Sequence, residues 1–527
     1  MQGPTPHPEA AASTELWQRA QKLEAAGQSE QARALYETLL ATYPQHVPAR
    51  LRMSRMEQFA GRYQPSRQHV LQAADAVRLH ASTRHIAFVT ARLLEFAEET
   101  EVASVILSAD GSDPDVIRQS PTLAQHLWLA GRYEDTLRFL DAMDQRVPGH
   151  PLLAFTRANV LRYLGDADGA QRLYETALTR APHQPDIHWA LSTHSRAQPP
   201  LARLERLRTA LSHHPAGSVE QAHLFHALFR EYDAAGEVDK AWDALSQGAA
   251  IMRSRVSYDP RVEAERLDAL RALRPGALVA DEPHADPIPI FIVGMPRTGT
   301  TLLDRVVGNH GWARSLGERN DLPAAISEAS GRFFQSALQA DQLDLLQSLD
   351  MRRVGQLYMA RLRRIAPPVR FVIDKNPQNL FNIPVILQAL PQARILCLRR
   401  DPMDACFSTL KELFQGDAYP YSYALDDVAE HCRHARSWMA HWQAVAPASV
   451  RVVDYEALVA DPQGTAASVL EFVGLPAQEG VHEITRNEAP VATASSSQVR
   501  EGIHGRGVGA WKRYAQHLQP LIDRLER

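Results

Sequence analysis

The stretch PIPIFIVGMPRTGTTLLDRVV, residues 287–307, gathers the groups that hold a phosphate. It reads as a strand, a glycine-bearing turn and an amphipathic helix. Backbone N–H groups of the turn and of the helix N-terminus can surround an anion there, and the helix dipole adds to the attraction. Gly294 and Gly299 allow close backbone approach, and Thr300 and Thr301 offer hydroxyl donors. Arg297 puts a fixed positive charge at the crest, with Pro296 and Thr298 completing the loop. A nucleoside triphosphatase would read GxxxxGK followed by Ser or Thr, its lysine reaching the terminal phosphates. Here Thr300 stands where that lysine belongs, and the basic residue has moved to Arg297.

A second anion anchor follows in ARILCLRRDPMDACFSTLK, residues 393–411. An apolar strand ends at Arg399 and Arg400, turns through Asp401 and Pro402, and enters a helix bearing Ser408. One guanidinium and one hydroxyl, eight residues apart, can thus converge on a single phosphate. For acid–base work, Glu318 in SLGERNDLP falls at a second strand end, where Gly317 lets an acceptor approach; Asp321 is the weaker choice. Lys375 and Asp374 close the apolar run FVIDK. His310, His431, His434 and His441 form no HExxH or three-ligand pattern, so no metal is expected.

Two kinds of architecture must position these groups. Strands are expected at Ile290–Val293, Phe371–Ile373, Arg394–Leu398 and Val450–Val453, with helical patterns between them, which argues for a parallel sheet flanked by helices. Before it, residues 14–255 carry Ala, Leu and Tyr at helical spacing, and a repeat appears. Gly131 and Gly165, Thr136 and Ala170, Leu140 and Tyr174, and Pro148 and Pro182 are each 34 residues apart, the period of a tetratricopeptide helix pair. Gly27 with Ala32 and Tyr36, Gly61, and Gly236 with Ala241 mark further units. The proline-rich DEPHADPIP, residues 281–289, breaks the pattern. The expected layout is a disordered leader over 1–13, a helical α-solenoid over 14–255, a linker over 256–286 and a P-loop-like α/β domain over 287–527.

Composition narrows the function. With 57 Lys and Arg against 61 Asp and Glu, the net charge of −4 gives no global attraction to nucleic acid or anionic membrane, so any anion site is local. The three cysteines form no paired motif, and no signal sequence or membrane span is apparent; a cytoplasmic protein is expected.

The loop PRTGTTLL resembles the 5′-phosphosulfate loop of sulfotransferases that use 3′-phosphoadenosine-5′-phosphosulfate (PAPS), whose 5′-phosphosulfate group is less charged than a triphosphate. The resemblance covers roughly residues 287–527. It implies that Arg400 and Ser408 hold the 3′-phosphate, and that the glycine-rich stretch ending in Trp511 and Lys512 is the nucleotide loop near the C-terminus. Arg506 and Lys512 then contact phosphate, with Ser496, Ser497 and Gln498 as further candidates. The catalytic half is similar to tyrosylprotein sulfotransferases, which implies Glu318 as base and Arg297 with Lys375 as the cations beside the bridging oxygen. Phe381 replaces a further lysine of those enzymes.

Two other readings stay open on sequence. Asp374 could serve as the carboxylate of a P-loop kinase or ATPase, and the repeats could make the chain a scaffold with a vestigial nucleotide site. Tetratricopeptide surfaces commonly hold peptides, so a peptide or protein acceptor is the expectation, while carbohydrate, lipid and small-molecule acceptors, and the oligomeric state, stay open.

Overall fold

The computed structural model describes residues 8–80, 82–194, 200–273, 287–339, 342–414, 416, 418–487, 489–491 and 500–526. Two compact units emerge, one of Met1–Val160 with Pro323–Phe334 and one of Leu161–Leu322 with Gln335–Arg527.

The first unit is a run of helix pairs: Pro8–Ala25 with Ser29–Thr42, Val47–Phe59 with Tyr63–His80, Ile86–Glu95 with Glu99–Ser108, and Pro114–Leu129 with Tyr133–Asp144. Three of the pairs turn on a left-handed glycine, Gly27, Gly61 or Gly131, at φ 71–74°. The remaining pair turns on Ala97 at φ 53°, a non-glycine in the same role, which hides that repeat from a search for glycines. Segment 323–334 packs into this unit: Gly331 accepts a hydrogen bond from Tyr63 N at 2.8 Å, and the Phe333 ring meets Tyr63 edge-on at 5.2 Å.

The second unit begins with the same grammar, Gly165 and Gly236 again left-handed. Thr136, Leu140, Ala170 and Tyr174, which set the 34-residue register, are all fully buried in their units. The expected boundaries shift. Residues 8–13 of the expected leader lie in helix Pro8–Ala25, and residues 1–7 fall outside the described residues. Within the expected linker, Pro260–Arg271 is a helix, because Asp259 accepts a hydrogen bond from Arg261 N at 2.9 Å and Pro260 suits the first turn; residues 274–286 fall outside the described residues. Helices after Leu161 join the α/β part through buried and part-buried polar links. Arg253 donates to Asp427 at 2.6 Å, Tyr514 donates to Asp233 at 2.6 Å, and Glu263 meets both His431 and His434 at 3.0 and 2.8 Å.

Five strands form one parallel sheet: β1 Ile288–Gly294, β2 Ala313–Ser315, β3 Phe371–Lys375, β4 Arg394–Arg399 and β5 Val450–Asp454, in the order β2-β3-β1-β4-β5. Ile290 to Val293 are all fully buried, as a central parallel strand covered on both faces requires. The four expected strands are present. The short β2 is the strand whose end was expected at Glu318, but it is not one of the four expected apolar runs, since Ala313-Arg314-Ser315 has none; it forms because Ala313 to Ser315 pair with Phe371 to Ile373. Among the described residues no helix is long and apolar enough to cross a membrane.

Candidate active site

The register sets Ile292 beside Lys375 and Gly294 beside Leu398, so the end of β1 lies between the ends of β3 and β4. Ligands of open parallel sheets bind at this edge, where the strand order reverses. A cavity of about 610 Å³ opens here, and Pro296, Arg297, Gly299, Thr300 and Thr301 line it together with Glu318, Arg400, Ser408 and Arg506.

The loop is built for close approach. Gly294, at φ 150°, would put a Cβ 2.7 Å from the Leu398 carbonyl oxygen, and Gly299, at φ 102°, would put one 2.5 Å from the Tyr455 ring. Arg297 is left-handed too, at φ 66°, a costly conformation for a side-chain-bearing residue that recurs at functional loops. Thr298 does not line the cavity: it is buried and its hydroxyl donates to the Met295 carbonyl at 2.7 Å, so it closes the turn instead. Helix Thr300–Gly308 starts at the cavity wall.

Arg400 ties the loop to the C-terminal segment. It donates to the Arg297 carbonyl at 3.0 Å and to the Gly507 carbonyl, while its guanidinium lies 4.7 Å from the Tyr455 ring centroid. Ser408, on helix Pro402–Leu410, shares the cavity. Arg506 also lines it, its guanidinium paired with Glu501. Lys512 is exposed and absent from the lining, because Gly509 and Trp511 turn the chain by donating their N–H groups to Asp404 at 2.6 and 3.3 Å. Ser496, Ser497 and Gln498 fall outside the described residues.

Glu318 comes to the cavity because β2 continues its pairing past Ser315: Leu316 N donates to Ile373 O at 2.9 Å, and Lys375 N donates to Gly317 O at 3.1 Å. Lys375 is buried behind the wall with its ammonium donating to a Glu318 carboxylate oxygen, and the carboxylate is 42 % exposed. Lys375 does not itself line the cavity, and its ammonium pairs with Glu318, which does. Asp321 is buried between Arg319 at 2.8 Å and Arg361 at 3.0 Å, a structural pairing. Asp374 accepts a hydrogen bond from the Tyr358 hydroxyl at 2.9 Å, and burial pushes its carboxyl up to about 7. It does not line the cavity. Among the described residues no cluster of three or more His, Cys, Asp or Glu could hold a metal ion.

The charged and aromatic lining residues that were not anticipated include Arg230, Asp404, Lys411, Glu412 and Tyr455. Tyr455 had a signal, following the end of β5 directly in VVDYE, and Asp404 stands in the first turn of the helix after β4 in RRDPMD. Arg230, on helix Val219–Ala235, had none, since it reads as one more charge on an amphipathic helix. Burial and the neighbouring Arg230 push the Lys411 ammonium down to about 7, while burial lowers the pKa of Arg297 and Glu412 pulls it back up. The cavity thus sets Arg230, Arg297, Arg400, Lys411 and Arg506 against Glu318, Asp404 and Glu412, an excess of cations suited to a multiply charged anion.

The second unit thus holds a parallel sheet with a glycine-bearing loop after β1 and Thr300 where a triphosphatase has its lysine. Residues 289–479 match the sequence model of the Sulfotransferase family. An uncharacterised protein of Aquifex aeolicus is 26% identical over 339 residues, 62% of this chain and 44% of that one. The omega-hydroxy-beta-dihydromenaquinone-9 sulfotransferase of Mycobacterium tuberculosis is 29% identical over 257 residues, 38% of this chain and 66% of that enzyme. The protein-tyrosine sulfotransferase of Drosophila melanogaster is 22% identical over 241 residues, 42% of this chain and 46% of that enzyme. The chain therefore spans less than two thirds of the length of each of these relatives. Among solved structures, the sulfotransferase domain of the curacin biosynthetic pathway aligns at 19% identity with a TM-score of 0.31, covering 44% of this chain and 98% of that domain.

Proposed function

We propose that the chain transfers a sulfuryl group from PAPS to an acceptor hydroxyl or amine, with Glu318 as base. The observation that carries this reading is that Glu318, the loop 296–301, Arg400 and Ser408 line one cavity. The residues fit a two-phosphate nucleotide. Thr300, Thr301, Arg297 and the helix N-terminus would hold the 5′-phosphosulfate, and Arg400, Ser408 and Arg506 would hold the 3′-phosphate. Bound there, the donor supplies an activated sulfuryl group on a phosphate leaving group.

The protein's own contribution is alignment and charge stabilisation, as in phosphoryl transfer through a loose transition state. Lys375 holds one oxygen of Glu318 so that the carboxylate points into the cavity, where it can accept the acceptor's proton. Arg297 supplies positive charge where the leaving phosphate oxygen forms.

The names of the mycobacterial and Drosophila relatives specify a hydroxylated menaquinone and protein tyrosine, which favours an O–H acceptor. A peptide or protein brought in by the helix pairs, in the cytoplasm, is the acceptor we favour; the three cysteines are free and buried, which suits that compartment. Incubation of the purified chain with labelled PAPS and a cell extract should give a labelled product. Thermal stabilisation by 3′,5′-diphosphoadenosine without magnesium supports the reading, and stabilisation only by ATP with magnesium overturns it.

A further inference from the structure

Arg230 reaches the cavity from helix Val219–Ala235, outside all the sheet's loop motifs, and the chemistry above makes no use of it. Its Nη2 lies 3.4 Å from Oε2 of Glu412, and the same carboxylate oxygen stands 3.7 Å from Nε of Arg297. The Arg230 guanidinium also lies 5.5 Å from the ring centroid of Trp189, which holds it from the neighbouring helix Pro185–His194. One carboxylate, only 8 % exposed, is therefore shared between the loop arginine and an arginine of the helical layer.

Glu412 is the member that needs explaining. A buried carboxylate beside the phosphate loop repels an incoming anion and competes with it for Arg297. It is tolerable only with a second cation able to take its charge. Arg230 is placed to do that: it already touches Glu412, and its aromatic support keeps it in place whichever way Arg297 turns.

We propose that Arg230 is a counter-ion exchanger for the donor site. As an anionic nucleotide enters, Glu412 passes wholly to Arg230, and Arg297 turns its guanidinium from Glu412 to the bound anion. Arg230 is thus a positioning residue acting through Glu412, and the helical layer forms part of the donor site as well as any acceptor surface. The inference rests on the reading of the cavity as a PAPS site.

The test is calorimetric titration of the full chain with 3′,5′-diphosphoadenosine, for the natural protein, Arg230→Ala, Arg230→Lys, Glu412→Gln and the double variant Arg230→Ala with Glu412→Gln. Arg230→Ala should weaken binding by about tenfold or more, within the range of ordinary coupling energies. Arg230→Lys should retain most of the affinity. Glu412→Gln should bind at least as tightly as the natural protein, and adding it to Arg230→Ala should restore affinity. Direct contact between Arg230 and the nucleotide, or packing on Trp189 alone, predicts no restoration, and that result overturns the proposal. So does unchanged affinity in Arg230→Ala. Should Arg230→Ala fail to fold, the Arg230→Lys and Glu412→Gln titrations decide: weakened binding in Glu412→Gln overturns the exchange. A natural protein that binds no 3′,5′-diphosphoadenosine refutes the PAPS reading itself, a result seen before any variant is compared.

Discussion

Glu318 and Lys375 face each other across the ends of β2 and β3, the carboxylate on the cavity wall and the ammonium buried behind it. Two residues 57 positions apart become one unit because the β2–β3 pairing continues past Ser315. The pair predicts a separation of effects. Glu318→Gln keeps the shape and loses the proton acceptor, so turnover should fall by about 10²–10⁴-fold while 3′,5′-diphosphoadenosine binds as before. Lys375→Met should also lower kcat with little change in KM for the donor, since it frees the carboxylate without touching the loop. Steady-state kinetics with labelled PAPS measures both, and full activity in Glu318→Gln would remove it from the base role.

Gly299 makes a second prediction. At φ 102°, with the Tyr455 ring 2.5 Å from where a Cβ would stand, Gly299→Ala combines backbone strain with a clash. The cost should be about 1–3 kcal/mol, concentrated in the loop and seen as weakened nucleotide binding. Because φ stays unfavourable, adding Tyr455→Ala should restore only part of the loss. Thermal unfolding and titration with 3′,5′-diphosphoadenosine check this, and complete restoration by the second substitution would show that the clash alone mattered.

The sheet was largely legible because its strands are short apolar runs bounded by turns, and the loop because glycine, threonine and arginine keep a fixed order after β1. What was hidden depends on partners distant in sequence. Nothing in Ala313-Arg314-Ser315 marks a strand until Phe371 to Ile373 lie beside it. Lys375 at a strand end looks like a cavity residue, and only the position of Glu318 turns it inward. Arg230 lies 182 residues before Glu412, so no local pattern could join them. Ala97 occupies a turn that glycine fills elsewhere, and so conceals one helix pair.

Asp404 should prove to be the fastener of the C-terminal loop. Its carboxylate accepts from Gly509 N and Trp511 N, and Gly507 in turn accepts from Arg400. Asp404→Ala leaves two backbone donors without their acceptor, at a cost of about 1–3 kcal/mol for each that stays buried. Nucleotide binding should weaken, and limited proteolysis should cut near residues 500–512 faster than in the natural protein. Asp404→Asn, which keeps one acceptor oxygen, should fall between the two. Equal cleavage rates in all three would show that the loop is held by other contacts.

Lys411 gives the cavity a pH dependence whose sign can be worked out. Burial first, then Arg230, pushes its ammonium down to about 7, with Arg297 and Arg400 acting in the same direction and Asp233 against them. Its Nζ also lies over Phe407, 4.4 Å from the ring centroid. A bound anion favours the charged form and raises the pKa. Between the free and bound values, binding therefore takes up a proton, and affinity falls as pH rises above about 7, by roughly tenfold per pH unit at most. The phosphate groups of 3′,5′-diphosphoadenosine lose their second protons near pH 6, roughly, so the range above pH 7.5 isolates the lysine. Titrations from about pH 7.5 to 9 should show this slope in the natural protein and a flat profile in Lys411→Met. A slope that survives in Lys411→Met would assign the proton to another group.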